Sequence, residues 1–120
     1  MVLTEPEIQQ VISQVKTAFP NLTDWQFNNE ENDEYFGFSI WACYTLEPEK
    51  LRARRFFITF DTFDLTWRGY LSVGKPVYLW SSTEEGDAFL VDTAPCQTID
   101  EAIRKLKAQI TNLLNIFCTT

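Results

Sequence analysis

An α+β fold is predicted for this chain: an antiparallel meander sheet of four to six strands, with an N-terminal and a C-terminal helix packed on one face. Three observations predict it. Sixteen of the eighteen aromatic residues lie between Trp25 and Phe89. Through that stretch apolar residues alternate with a period of two, whereas both flanks repeat at helical spacing. The alternating segments are joined by turns too short to hold crossover helices, so neighbouring strands run antiparallel.

The first helix is predicted over about 5–19. Thr4 and Glu7 stand in capping-box relation, Pro6 occupies the first turn, and Leu3 and Ile8 form a hydrophobic staple. Ile8, Val11, Ile12, Val15, Ala18 and Phe19 make one apolar stripe, which Pro20-Asn21 ends. A short strand is expected around Trp25–Asn28. In 35–46, Phe36, Phe38, Ile40, Ala42, Tyr44 and Leu46 oppose Tyr35, Gly37, Ser39, Trp41, Cys43 and Thr45. Glu47-Pro48-Glu49-Lys50 is a turn.

In 53–63, Phe56, Ile58 and Phe60 oppose Arg55, Phe57, Thr59 and Asp61; in 65–73, Leu65, Trp67, Leu71 and Val73 oppose Thr66, Arg68, Tyr70 and Ser72. Further strands are expected at Val77–Ser81 and Ala88–Thr93, with turns at 74–76 and 83–87 and with Pro95 ending the sheet. The closing helix, over about 99–117, starts at a second capping box, Thr98 and Glu101. Its expected buried face is Ile99, Ala102, Ile103, Leu106, Ile110, Leu113, Leu114 and Phe117, long enough to cross the whole sheet. Phe38, Ile40, Phe56, Ile58, Leu71 and Leu106 are the expected core positions.

The length of 120 residues fits one domain, 1–120, with a core that needs no staples. No apolar run reaches the length of a membrane span, and the acidic start, Met1 to Glu7, lacks the basic and apolar pattern of a secretory signal. Cys43, Cys96 and Cys118 lie far apart and suit neither a zinc site nor a disulfide framework. Reduced thiols and a cytoplasmic location are therefore expected, with Cys43 packed and Cys118 exposed near the tail.

The net charge of −7 is unevenly spread. Residues 1–49 carry nine carboxylates against Lys16, while 50–75 carry six basic residues against Asp61 and Asp64. Such a chain repels nucleic acid over most of its surface and suits a partner with a basic or mixed surface.

The sequence contains no histidine. That removes the commonest general base and metal ligand and the Ser-His and Cys-His pairs. Ser81-Ser82 has no nucleophile elbow, and no phosphate-binding glycine motif occurs among four glycines. No catalytic residue, metal or cofactor is assigned. The oxygen-rich run Asn28 to Glu34 lacks the pattern and glycine of a calcium loop and reads as a solvated turn. Arg52, Arg54 and Arg55 form a basic cluster that could hold phosphate; pairing with Glu47 and Glu49 at a strand end is the plainer account. Asp61, Asp64, Asp87 and Asp92 are the carboxylates that a histidine-free hydrolase would use.

The best candidate binding surface is the sheet face away from the helices. Trp41, Arg55, Phe57, Arg68 and Tyr70 fall there, with Tyr35 and either Tyr78 or Trp80 beside them. The plain alternative is that these rings fill the concave side of a curled sheet or a subunit interface. The expected function is a non-catalytic binding or adaptor protein taking a protein partner, itself included, as a homodimer covering Trp41, Phe57 and Tyr70. The second class is nucleotide or single-stranded nucleic-acid binding on the same rings and arginines. No segment carries a family signature.

Overall fold

The structure, a computed structural model, describes residues 1–30, 36–46, 54–74 and 88–118. It contains α1 (Glu5–Ala18), β1 (Thr23–Asn29), β2 (Phe36–Leu46), β3 (Arg54–Phe63), β4 (Thr66–Val73), β5 (Ala88–Asp92) and α2 (Ile99–Cys118). The five strands lie side by side in chain order and every neighbouring pair is antiparallel. Both helices contribute to one core against the same side of this meander, as the alternation predicts. The strand expected at Val77–Ser81, Ser81-Ser82, the turns at 47–50 and 83–87, Arg52, Asp87, Tyr35, Tyr78, Trp80 and Glu31–Glu34 lie outside the described residues.

α1 begins where the capping box places it. The Thr4 hydroxyl accepts from the Glu7 N–H at 3.4 Å, and the Glu7 carboxylate accepts from the Thr4 N–H at 2.9 Å. In α2 the Thr98 hydroxyl accepts from the Glu101 N–H at 3.1 Å, but the Glu101 carboxylate reaches back one residue further, to the Gln97 N–H. Thr98→Ala is expected to lower unfolding free energy by about 1 kcal/mol, because an N-terminal helix donor loses its acceptor. Chemical denaturation of wild type and variant measures this; an unchanged midpoint would remove Thr98 from the cap.

The core is built from Phe38, Ile40, Ala42, Ile58, Phe60 and Trp67 of the sheet, Val11 and Val15 of α1, and Ala102 and Leu106 of α2. Phe38 meets the edge of Trp67 at 5.8 Å and Phe19 tilts against Phe60 at 6.1 Å. Gly69 lies opposite Phe60, and a Cβ there would stand 2.7 Å from the Phe60 ring and 3.3 Å from Leu106. Glycine is what lets α2 come down onto β4. Of the expected core set, Phe56 and Leu71 are only partly buried.

Asn29 ties the start of the chain to the sheet edge: its side-chain amide donates to the Leu3 carbonyl and accepts from the Leu3 N–H, both at 2.9 Å. β1 carries a bulge between Thr23 and Gln26, with Asp24 at φ 58°. β3 and β4 are joined by a two-residue turn, Asp64-Leu65, in which Asp64 takes φ 56°. Aspartate tolerates this left-handed conformation better than most residues. Leu65, expected to join the strand's apolar face, instead stands at the hairpin tip, 72% exposed.

Other expectations need correction or refinement. The last strand does end before Pro95, at Asp92, but the edge of β4 stays paired beyond it. Past β5, the Thr93 N–H donates to the Gly69 carbonyl and the Thr93 hydroxyl accepts from the Gly69 N–H, each at 2.9 Å. Cys96 then exchanges two backbone hydrogen bonds with Trp67, at 2.7 and 2.8 Å, and is itself buried in the core. Tyr44 faces the core side by register but lies half exposed.

Leu114 and Phe117, expected on the buried face of α2, are exposed, as is Ile116. Beyond Leu106, which meets β4 at Gly69, twelve helical residues remain, about 18 Å of rise. β4 has only four residues left past Gly69, about 13 Å. α1 also ends here, its Ala18 carbonyl accepting from Lys107 Nζ at 2.8 Å. The last turns of α2 therefore outrun both neighbours. Among the described residues no helix is long and apolar enough to cross a membrane.

Candidate functional site

Antiparallel partners point to the same side of a sheet, so the register defines the face opposite the helices. One row across it is Gln26, Trp41, Thr59, Tyr70 and Asp92. The next is Thr23, Cys43, Phe57, Ser72 and Phe89. Asp61 pairs with Arg68 on the far side of the first row, and Arg55 pairs with Thr45 beyond the second. Trp41, Arg55, Phe57, Arg68 and Tyr70 thus share this face and fall into two groups.

The first group surrounds a cavity of about 400 Å3, lined by Trp41, Phe57, Arg55, Thr45, Cys43, Gln26, Thr23 and Asp24 among others. The small Cys43 side chain lies between the larger Trp41 and Phe57, which leaves the depression. The bulge in β1 supplies Asp24 to its rim. Sequence reasoning names the rings and Arg55 but misses the β1 side of this cavity, because the bulge shifts Thr23 and Asp24 out of the simple alternation.

The second group is a polar centre under aromatic cover. Arg68 Nε lies 3.8 Å from Asp61 Oδ1, and the guanidinium sits 4.8 Å from the Phe63 ring centroid and 5.6 Å from that of Tyr70. The Tyr70 hydroxyl donates to Asp61 at 3.5 Å, and its ring lies 5.5 Å from Phe89. Ser72 is buried between its cross-strand neighbours Phe57 and Phe89. Of the carboxylates considered for catalysis, Asp61 is engaged by Arg68 and Tyr70, Asp64 is on the hairpin tip, and Asp92 is exposed opposite Tyr70.

Burial raises the Asp61 carboxyl above its ordinary range, outweighing the opposing influence of Arg68 and Tyr70. A 3.8 Å ion pair is too long for a tight charge-assisted hydrogen bond, so the offset is incomplete. Burial, followed by the negative charge of Asp61, pushes the Tyr70 phenol up to about 12. The raised value disfavours the ionised form in the fold, so Tyr70's contribution to stability is intact below pH 10 and is lost as pH rises through about 12. An NMR titration following the Tyr70 ring is expected to place its ionisation near pH 12; a midpoint near 10 would mean the phenol is solvated. Glu7, whose carboxyl is lowered by its hydrogen bonds to Thr4, acts at the opposite end: its contribution is present above pH 4.5 and is lost as pH falls.

Among the described residues no group of three or more Cys, Asp or Glu side chains converges so as to hold a metal ion. The arrangement offers rings, two arginines and hydroxyls on a strand scaffold. No known protein family, curated protein or solved structure matches this chain.

Proposed function

We propose that this chain is a non-catalytic binding protein whose working surface is the sheet face opposite the helices, and that its partner there is another protein. The observation that carries the reading is the composition of that face. Trp41, Phe57, Tyr70 and Phe89 are interleaved with Arg55, Arg68 and Asp61, and among the described residues no helix covers them. Aromatic residues and arginine are the types that dominate protein interfaces, through large rigid contact area and multidentate hydrogen bonding. The net charge of −7 favours a basic or mixed partner.

The test is affinity capture from the native host with wild type and with an Arg55→Glu, Phe57→Ser double variant. Arg55 is exposed and Phe57 lies outside the core, so the variant is expected to fold. A protein retained by wild type and lost by the variant supports the reading; equal capture by both removes this face from the interaction.

A second reading, nucleotide or single-stranded nucleic acid on the same face, is favoured by the cavity beside Trp41, Arg55 and Phe57. Oligonucleotide binding that weakens steeply with added salt would select it.

A further inference from the structure

We infer that the cavity on the face of β1, β2 and β3 opposite the helices is a binding site for a purine mononucleotide, with guanine as the base that fits best. The inference rests on the second reading above and narrows it to one small ligand; it does not depend on a protein partner. The cavity holds about 400 Å3, within the range of small-molecule sites. Cys43 stands at its centre, with Trp41 two residues away on β2 and Phe57 opposite on β3. A flat ring laid over the small Cys43 side chain meets an aromatic ring on two sides, and an indole matches the two-ring area of a purine.

The polar groups around the rings set the two ends of the ligand. Arg55 and Asp24 stand on opposite sides, on β3 and β1, two strand spacings or about 10 Å apart across the sheet. Both are exposed, and among the described residues neither has a hydrogen-bond or ion-pair partner. The other arginine of this face is different: Arg68 lies against Asp61 and beside the Phe63 and Tyr70 rings. Arg55 belongs to the basic stretch of an otherwise acidic chain and offers a planar fork to a phosphate. It is the one cation among the described residues lining the cavity, which fits a single phosphate. The net charge of −7 disfavours a longer polyanion.

Asp24 reaches the cavity because β1 bulges between Thr23 and Gln26, where it takes φ 58°. Bulges re-aim side chains and are frequent beside active sites. A carboxylate only accepts hydrogen bonds, so the far end of the ligand must donate. Guanine presents two adjacent donors, N1–H and the 2-amino group, on the edge away from the sugar, and a carboxylate takes both at once. Adenine and cytosine offer an amino group beside an acceptor, and uracil a single N–H between two carbonyls, so each matches Asp24 less well. With the base over Cys43, its donor edge faces β1 and its phosphate extends toward Arg55.

Isothermal titration calorimetry of the full chain with guanosine monophosphate (GMP) tests the site, beside guanosine, inosine monophosphate, UMP and a single-stranded oligonucleotide of mixed sequence. Arg55→Gln and Asp24→Asn are the variants: both positions are exposed, and asparagine tolerates the left-handed backbone of Asp24. GMP is expected to bind saturably with a dissociation constant below about 1 mM. Inosine monophosphate, which lacks the 2-amino group, is expected to bind about tenfold more weakly. Arg55→Gln is expected to weaken GMP about tenfold while leaving guanosine unchanged, and Asp24→Asn to narrow the preference for GMP over inosine monophosphate. Absence of saturable GMP binding overturns the proposal, as does UMP binding equally well or GMP binding indifferent to both variants. An oligonucleotide bound more tightly than GMP keeps the nucleic-acid reading and overturns this one. A protein captured through Arg55 and Phe57, with no GMP binding, likewise keeps the partner reading and overturns this one.

Discussion

Phe60→Ala is expected to lower the unfolding free energy by about 3–5 kcal/mol, the range for removing a large ring from a packed core. Phe60 is fully buried at the centre of the sheet, with Phe19 against one side and the Gly69–Leu106 contact against another. Neither neighbour can fill the gap: Phe19 is fixed at the end of α1, and Leu106 is set by the helix axis. With a typical domain stability of about 5–15 kcal/mol, such a loss leaves the chain near its folding threshold. Urea denaturation followed by circular dichroism measures it. A cost below about 1 kcal/mol would mean that the ring lies outside the tightly packed core.

The converse substitution, Gly69→Ala, is expected to cost about 1–3 kcal/mol by overpacking. The added methyl would meet the Phe60 ring at 2.7 Å, and the ring, fully buried, has no space into which to retreat. The backbone cannot yield either, since the Gly69 carbonyl and N–H are both held by Thr93. Because the Phe60 ring makes the closest clash, Phe60→Leu should partly rescue Gly69→Ala. The double variant is expected to be more stable than the sum of the two single effects by at least about 0.5 kcal/mol. Strict additivity would show that the glycine is required for its backbone rather than for the space it leaves.

The elements themselves were legible because local chemistry specifies them. Thr4 and Thr98 mark both helix starts, and the alternation through Phe38, Ile40 and Ala42 assigns the faces of β2 correctly. What was not legible depends on pairing. Arg68 could be matched with Asp61 only once the hairpin was known to turn on two residues, Asp64 and Leu65. That turn lacks the Asn-Gly or Gly-Gly signature that announces such hairpins. The cavity beside Trp41 likewise depends on a bulge in β1 that alternation cannot register.

The tail of α2 escaped sequence reasoning for a different reason. An apolar stripe predicts a face that seeks cover, and Leu114 and Phe117 belong to that stripe. Whether cover is present depends on how far the sheet extends beneath the helix, which follows from strand lengths in three dimensions and not from the helix's own sequence. The candidate binding residues were found because period two places Trp41, Phe57 and Tyr70 on one side whatever their neighbours are. Their division into a ring-lined depression and an ion-paired centre came from cross-strand register.

The stretch from Thr93 to Cys96 also bears on how the molecule breathes. Nominally β5 ends at Asp92, yet Thr93 completes the ladder at Gly69 and Cys96 completes it at Trp67. Pro95, which has no N–H to leave unpaired, falls in the gap between those two closures. The outer edge of β4 is thereby sealed along nearly its whole length, and the chain passes directly from the last of these bonds into the Thr98 cap of α2. Lifting the helix from the sheet must strain the Cys96 bridge, and peeling that bridge must loosen the first turn of the helix. Strand edge and helix start therefore open as one cooperative unit, with the amides of Trp67, Gly69 and Cys96 exchanging with solvent on a common, slow timescale.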